Sequence, residues 1–322
     1  MIFKLLILII TISCINSSPL NTVSDDTLLD NIRESKYVLI LFAKKNCGQD
    51  CKYEQSVVAL KEEFENTFND AKILKVENSQ LVRLYNPIKK DPCLVFLRQG
   101  VPLIYDENDP DSTEDIFNFF SEHREPIVKE LDDTNFEHLT QASTGATTGD
   151  WFVQFYDNSC IDCQRLQAQW ETVGAKLKIR LNVARVNRIT KGILTAKRFR
   201  VDTSPVFVLI RQGKFYRYNL KKYDIESFVG FASSWFKNVG AEKVKVPASQ
   251  FDSLIDGIVG KLKEMPNVKE LALNEYPIVF YSVAALFLIF VLLKLFKKNP
   301  QATQTEQKKE EKTAKKNVKK EK

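Results

Sequence analysis

Glycine and proline are scarce, 11 of each in 322 residues, while apolar residues make up 44% and aromatics 11%. That balance excludes a low-complexity or collagen-like chain. It is the composition of a globular protein, with length for about two ordinary domains plus further segments. The body of the chain also lacks an excess of charge. The formal net charge is +6, but from Lys297 to Lys322 ten lysines stand against four glutamates, a net +6, so the rest sums to zero. A nucleic-acid-binding face on the folded part is thereby disfavoured. Histidine is down to two residues, His123 and His138, read as lying in a closing helix and an opening strand. Neither accompanies a cysteine pair, which argues against zinc; no metal and no cofactor is expected.

Long apolar runs are confined to the two ends. Met1-Ile-Phe-Lys4 leads into an apolar core and then into Ser17-Ser18, the pattern of a secretory signal peptide over 1–18. The second run, Pro277 to Phe296, carries no charge until Lys294 and is followed at once by Lys297 and Lys298. Its length and the positive-inside rule predict a transmembrane helix over 276–296, with everything before it lumenal and a basic cytosolic tail over 297–322. Tyr276 and Tyr281 suit the lumenal interface. The tail has almost no apolar residues, so disorder is expected there. Its ending, Lys319-Lys320-Glu321-Lys322, resembles the dilysine signal that returns membrane proteins to the endoplasmic reticulum. The expected location is therefore the endoplasmic reticulum membrane, as a single-pass type I protein.

Between the ends the chain repeats itself. One copy has Phe42, Cys47, Pro92 and Arg98-Gln99-Gly100; the other has Phe155, Cys160, Pro205 and Arg211-Gln212-Gly213. Phenylalanine to cysteine is five residues in both, cysteine to proline 45, and proline to arginine six. Three matched spacings mark two copies of one unit. Tyr37–Phe42 and Trp151–Tyr156 read as buried strands, each followed by a cysteine pair and a helical pattern. In the second copy Leu166, Trp170, Val173 and Leu177 line one helical face. Strands at Ile73–Val76 and Asn182–Val186, strands after each proline, and closing helices at about 112–123 and 224–237 complete the order. A mixed sheet covered on both faces follows. Beyond it, Phe251, Leu254, Ile255, Ile258, Val259 and Leu262 fall on one helical face, predicting an amphipathic lumenal stem over 241–275 that docks on the second domain, pairs with another copy or lies on a membrane surface.

The strand, then Cys160-Ile161-Asp162-Cys163, then helix, together with Thr203-Ser204-Pro205 before a strand, resembles the thioredoxin and protein disulfide isomerase domains. Asn135-Phe-Glu-His-Leu139 ahead of Trp151–Tyr156 is similar to the opening of disulfide isomerase catalytic domains. With the apolar run and the dilysine ending, the chain resembles the transmembrane thioredoxin-related proteins of the disulfide isomerase family. The resemblance implies an α/β fold of two tandem thioredoxin-like domains, an atypical one over 19–126 and a second over 127–240. Each has a mixed central sheet flanked by helices. It also implies cis-prolines at Pro92 and Pro205, with Ser204 and Pro205 facing the dithiol to hold the substrate chain.

Six cysteines are present; Cys14 leaves with the signal peptide, and the five that remain face an oxidising compartment. Cys160 at a helix start is placed to be the attacking thiolate, and Cys163 three residues on to resolve the mixed disulfide. The site departs from the family pattern. Asp162 stands where a histidine is usual and favours the disulfide, with Arg165 one turn along as a partial offset. Gln154 replaces the family's buried carboxylate, removing a proton acceptor for the resolving thiol. Ser159 replaces the tryptophan before the first cysteine. The first copy has Cys47-Gly-Gln-Asp-Cys51, one residue too many, with Leu41 at the carboxylate position. It is either a static disulfide or a second redox pair, and Cys93 either a buried structural thiol or a further redox partner. The expected function is a thiol–disulfide oxidoreductase, slow or reductase-leaning. It would act on cysteine-containing clients, with glutathione or another oxidoreductase as redox partner. A redox-inactive client-binding or adaptor module, or an effector of a membrane partner, is the alternative.

Overall fold

The computed structural model describes residues 20–44, 50–85, 91–107, 112–145, 149–247, 255, 257–260 and 277–296. Residues 1–247 form one compact unit, and its two halves repeat one arrangement of strands and helices. In the first lobe the elements are β1 (Asn21–Thr22), α1 (Asp25–Glu34), β2 (Tyr37–Ala43), α2 (Asp50–Thr67), β3 (Lys72–Glu77), α3 (Val82–Tyr85), β4 (Cys93–Arg98), β5 (Val101–Ile104) and α4 (Thr113–Glu122). The second lobe has β6 (Lys129–Leu131), α5 (Phe136–Thr140), β7 (Trp151–Tyr156), α6 (Ile161–Arg165), α7 (Gln167–Leu177), β8 (Asn182–Asn187), α8 (Ile193–Arg198), β9 (Val206–Arg211), β10 (Lys214–Arg217), α9 (Ile225–Ser233) and β11 (Glu242–Lys243).

The sheets run in the orders β1-β3-β2-β4-β5 and β11-β10-β9-β7-β8-β6. In each, the central strand pairs parallel on one side and antiparallel on the other, so both are mixed. All seven residues of β2 are buried, as a strand covered on both faces requires. Each Arg-Gln-Gly turn has its glutamine and glycine in the left-handed region, φ 53° and 80° at Gln99 and Gly100 and 52° and 73° at Gln212 and Gly213. Two such residues make the mirror-image turn whose twist matches a hairpin, which is why glycine follows glutamine in both. Side chains cap the helix starts: Ser24 accepts from the Thr27 N–H, Ser112 from Asp115 and Asp224 from Ser227.

The lobes are joined by α7, whose one face belongs to its own core and whose other face enters the first lobe. Trp170 packs with Phe152, Phe207 and Phe228, while Ala175 and Ala168 sit in the two cores of the first lobe. Thr172 Oγ1 accepts the Ile104 N–H at 3.0 Å, satisfying the open edge of β5. Arg98, fully buried, meets Glu171 at 2.9 Å and donates to the carbonyls of His123 and Glu125, each at 2.9 Å. Glu171 also accepts the N–H groups of Ile127 and Val128. The lobes are thus welded through the helix that follows the dithiol.

Two expectations change. A helix does run Pro277–Phe296, but among the described residues no helix is long and apolar enough to cross a membrane, which corrects the transmembrane helix expected over 276–296. Its side chains are described over 281–292 alone. The type I orientation and membrane embedding read from that run lose their structural support with it. His138 lies in α5, not in a strand: Asp132 accepts the N–H groups of Thr134 and Asn135, a turn that starts a helix, and Phe136 buries against Phe199. The strand that opens the second lobe is β6, just before it. The signal peptide, Cys47, the side chain of Cys51, most of the stem, and Lys319 and Lys320 lie outside the described residues.

Candidate active site

Strand β7 ends at Tyr156, and the turn after it is built by Asp157. Its carboxylate accepts the Ser159 N–H at 3.0 Å and the Ser159 hydroxyl at 2.6 Å, a side chain-to-backbone turn that reverses the chain into α6. Cys160 is the N-cap of α6 and its sulfur accepts the Cys163 N–H at 3.0 Å. Cys160 and Cys163 are joined in a disulfide, with Cα atoms 5.2 Å apart. Cys160 is partly exposed and Cys163 buried, so an incoming sulfur has access to the first cysteine and not to the second.

The Ser204–Pro205 peptide is cis, as is Asp91–Pro92 in the first lobe. Arg188, one residue beyond β8, donates to Ser204 Oγ at 2.6 Å and reaches Asp157 at 3.4 Å. Asp157 therefore ties the turn that carries Cys160 to the loop that carries Pro205. Hydrogen bonds from Ser159 and Ser204, with the Arg188 charge, hold its carboxyl below the usual carboxylate range. Sequence reading passed over both Asp157 and Arg188. The available signal was an aspartate three residues before the first cysteine, at a turn where Asp and Asn commonly bond their own backbone.

Asp162 and Arg165 form an exposed ion pair at 3.5 Å. The arginine thus answers the aspartate directly, and neither charge is left to act alone on Cys160. Gln154 is buried at 3% exposure, and its Nε2 has no partner among the described residues. Together with Cys163, Tyr156, Asp157 and Arg185 it lines a cleft of about 320 Å³ under the disulfide. Arg185 stands opposite Gln154 in the sheet and pairs with Glu130, which also accepts the Tyr156 hydroxyl at 2.7 Å. Burial and Glu130 push the Tyr156 hydroxyl up in pKa.

In the first lobe Cys93 is a buried thiol immediately after Pro92. Leu41 is fully buried at the position matching Gln154. Among the described residues no group of histidine, cysteine and carboxylate side chains could hold a metal.

A family model described as thioredoxin matches residues 127–229, the stretch from β6 to the first half of α9. A thioredoxin domain-containing protein of Theileria parva is 38% identical over 168 residues, 52% of this chain and 76% of the relative. The thioredoxin-related transmembrane protein 1 of Homo sapiens is 29% identical over 126 residues, 35% of this chain and 41% of its own length. Among solved structures, full-length ERdj5 aligns at 18% identity with a TM-score of 0.40, covering 67% of this chain and 31% of that one.

Proposed function

The chain belongs to the thioredoxin domain-containing family, and on that premise we propose that it is a thiol–disulfide oxidoreductase related to the protein disulfide isomerases, acting through Cys160 and Cys163. The observation that carries this reading is the asymmetry of the disulfide: one sulfur accessible at the start of α6, the other buried beneath it. An exposed cysteine paired with a sheltered one is the arrangement needed for attack and then resolution. In the forward step the Cys160 thiolate attacks a client disulfide, forms the mixed disulfide and releases a client thiolate. Cys163 then attacks Cys160, closing the intramolecular disulfide and releasing the second client thiol. The client leaves reduced and the protein leaves oxidised; glutathione or another oxidoreductase returns it to the dithiol. Run backward, the same steps oxidise a client. Ser204 and Pro205, anchored to the Cys160 turn through Arg188 and Asp157, are the proposed seat of the client backbone. The clients are cysteine-containing proteins of the oxidising secretory compartment, the endoplasmic reticulum, where a disulfide of this kind persists.

The test is to equilibrate the full chain across a glutathione redox series and trap the Cys160–Cys163 thiols, with Cys160→Ser as control. The expected result is a reversible transition at or below the compartment's poise of roughly −180 to −210 mV. A pair that stays oxidised at every ratio and forms no mixed disulfide overturns the proposal.

A further inference from the structure

Gln154 sits on the same face of β7 as the buried Phe152, under the active-site helix, and lines the same cleft as the buried Cys163. A buried amide N–H without a partner is costly. The disulfide-bonded sulfur of Cys163, which lines the same cleft, is a weak acceptor; a thiolate is a strong one. We propose that Gln154 is a positioning residue for the reduced state: its Nε2 donates to the Cys163 thiolate, directly or through one water in the cleft. This rests on the exchange chemistry proposed above.

The other charged and titratable groups facing Cys163 are already matched. Asp157 is held by Ser159, Ser204 and Arg188; Arg185 pairs with Glu130, which also holds the Tyr156 hydroxyl; on its own helix Asp162 pairs with Arg165. The Gln154 N–H is the one buried donor of the cleft without a partner among the described residues. The cleft is polar and large enough for water, so the contact need not be direct. The consequence for the reaction is specific. A buried carboxylate takes the proton from the resolving thiol; a neutral donor cannot. Instead it stabilises Cys163 with its proton already gone to solvent. Cys163 Sγ then attacks Cys160 Sγ, the client sulfur leaves with the bonding pair, and water protonates it.

The experiment follows the Cys163 Cβ resonance of the reduced full chain, labelled with carbon-13 at cysteine Cβ, across pH; a Cys163→Ala sample assigns the signal. Gln154→Met keeps the length and removes the donor. It is expected to raise the Cys163 titration midpoint by about one pH unit, the scale of one hydrogen bond to a charged group. Gln154→Glu, close to isosteric, is expected to raise it further, because a second anion faces the thiolate. A midpoint unchanged in the methionine variant overturns the proposal. If that variant does not hold its fold by near-ultraviolet circular dichroism, an unchanged midpoint in the glutamate variant overturns it instead. Failure of the exchange function itself is read separately, in the glutathione series.

Discussion

Arg98 and Arg211 stand 113 residues apart at the same place in their lobes, each just before a Gln-Gly turn of the same left-handed backbone. One side chain is fully buried against Glu171; the other is 42% exposed and pairs with Asp150 at 3.0 Å. The same divergence recurs along the repeat. Lys44 of the first lobe bridges to Asp91 before Pro92. At the matching place in the second, Asp157 holds Ser204 before Pro205 with Arg188 between them. Both lobes tie the end of the central strand to the cis-proline loop, but with opposite charges. Leu41 fills the first lobe's core where Gln154 opens a cleft in the second. The difference shows a division of labour on one scaffold. The first lobe has turned its matched positions toward packing and toward α7 of its neighbour, and the second has kept them polar around a disulfide.

The sharpest way to break the comparison is to remove both arginines in turn. Arg98→Met leaves Glu171 buried without its cation and is expected to cost about 3–5 kcal/mol. Arg211→Met removes a half-exposed pair worth about 0–1 kcal/mol. Denaturant unfolding of the full chain, followed by tryptophan fluorescence, measures both. Because Glu171 is on α7, Arg98→Met should also split a single transition into two as the first lobe lets go. Equal losses for the two variants would mean that the weld is no more than a surface contact.

The next contrast exchanges the matched residues Leu41 and Gln154. Leu41→Gln buries an amide in a close-packed core and is expected to destabilise by about 2–3 kcal/mol. Gln154→Leu removes an amide that has no partner and should raise stability by about 1 kcal/mol. The same pair of side chains exchanged in opposite directions should therefore change stability with opposite signs. Two losses would show that Gln154 is satisfied in the resting disulfide state, by water in the cleft.

Much of this was legible in the chain. The repeat spacings placed β2 and β7, β4 and β9, both prolines and both turns, because a strand covered on both faces reads as an unbroken apolar run and a mirror-image turn demands glycine. Spacing and resemblance singled out Cys160 and Cys163, which are disulfide-bonded, and Gln154, which lines a cleft with Cys163. The weld was not, because Arg98 reads as an ordinary polar residue before a turn, and its burial depends on Glu171, 73 positions away. Asp157 was overlooked for the opposite reason: its bonds are local and look like any turn. The apolar run at 277–296 shows a further limit: hydropathy reads a span from a count of residues, and among the described residues no helix is long and apolar enough to cross a membrane.

The smallest effect is a pH dependence carried by one lobe alone. His123 caps α4 behind Arg98, with Nδ1 2.7 Å from the Phe119 carbonyl and its ring 5.0 Å from the Phe119 ring. Burial, helped by the charges of Lys178 and Arg98, lowers its pKa, against the Phe119 hydrogen bond, which raises it. The sign follows from linkage: below the ordinary value of about 6.5 the unfolded chain binds a proton that the folded chain refuses. This contribution is therefore complete above about pH 6.5 and is lost as pH falls toward the lower folded value. The matched residue in the second lobe is Phe236, over which Arg211 lies at 5.7 Å, and it has no proton to bind. His123→Phe makes the first lobe like the second at this point and keeps a ring against Phe119. Unfolding free energies of wild type and variant, measured from pH 7.5 down to 5.5, should run parallel above pH 6.5 and diverge below it, with the variant falling less. Parallel curves throughout would mean that the folded chain takes up the proton at His123 as readily as the unfolded one.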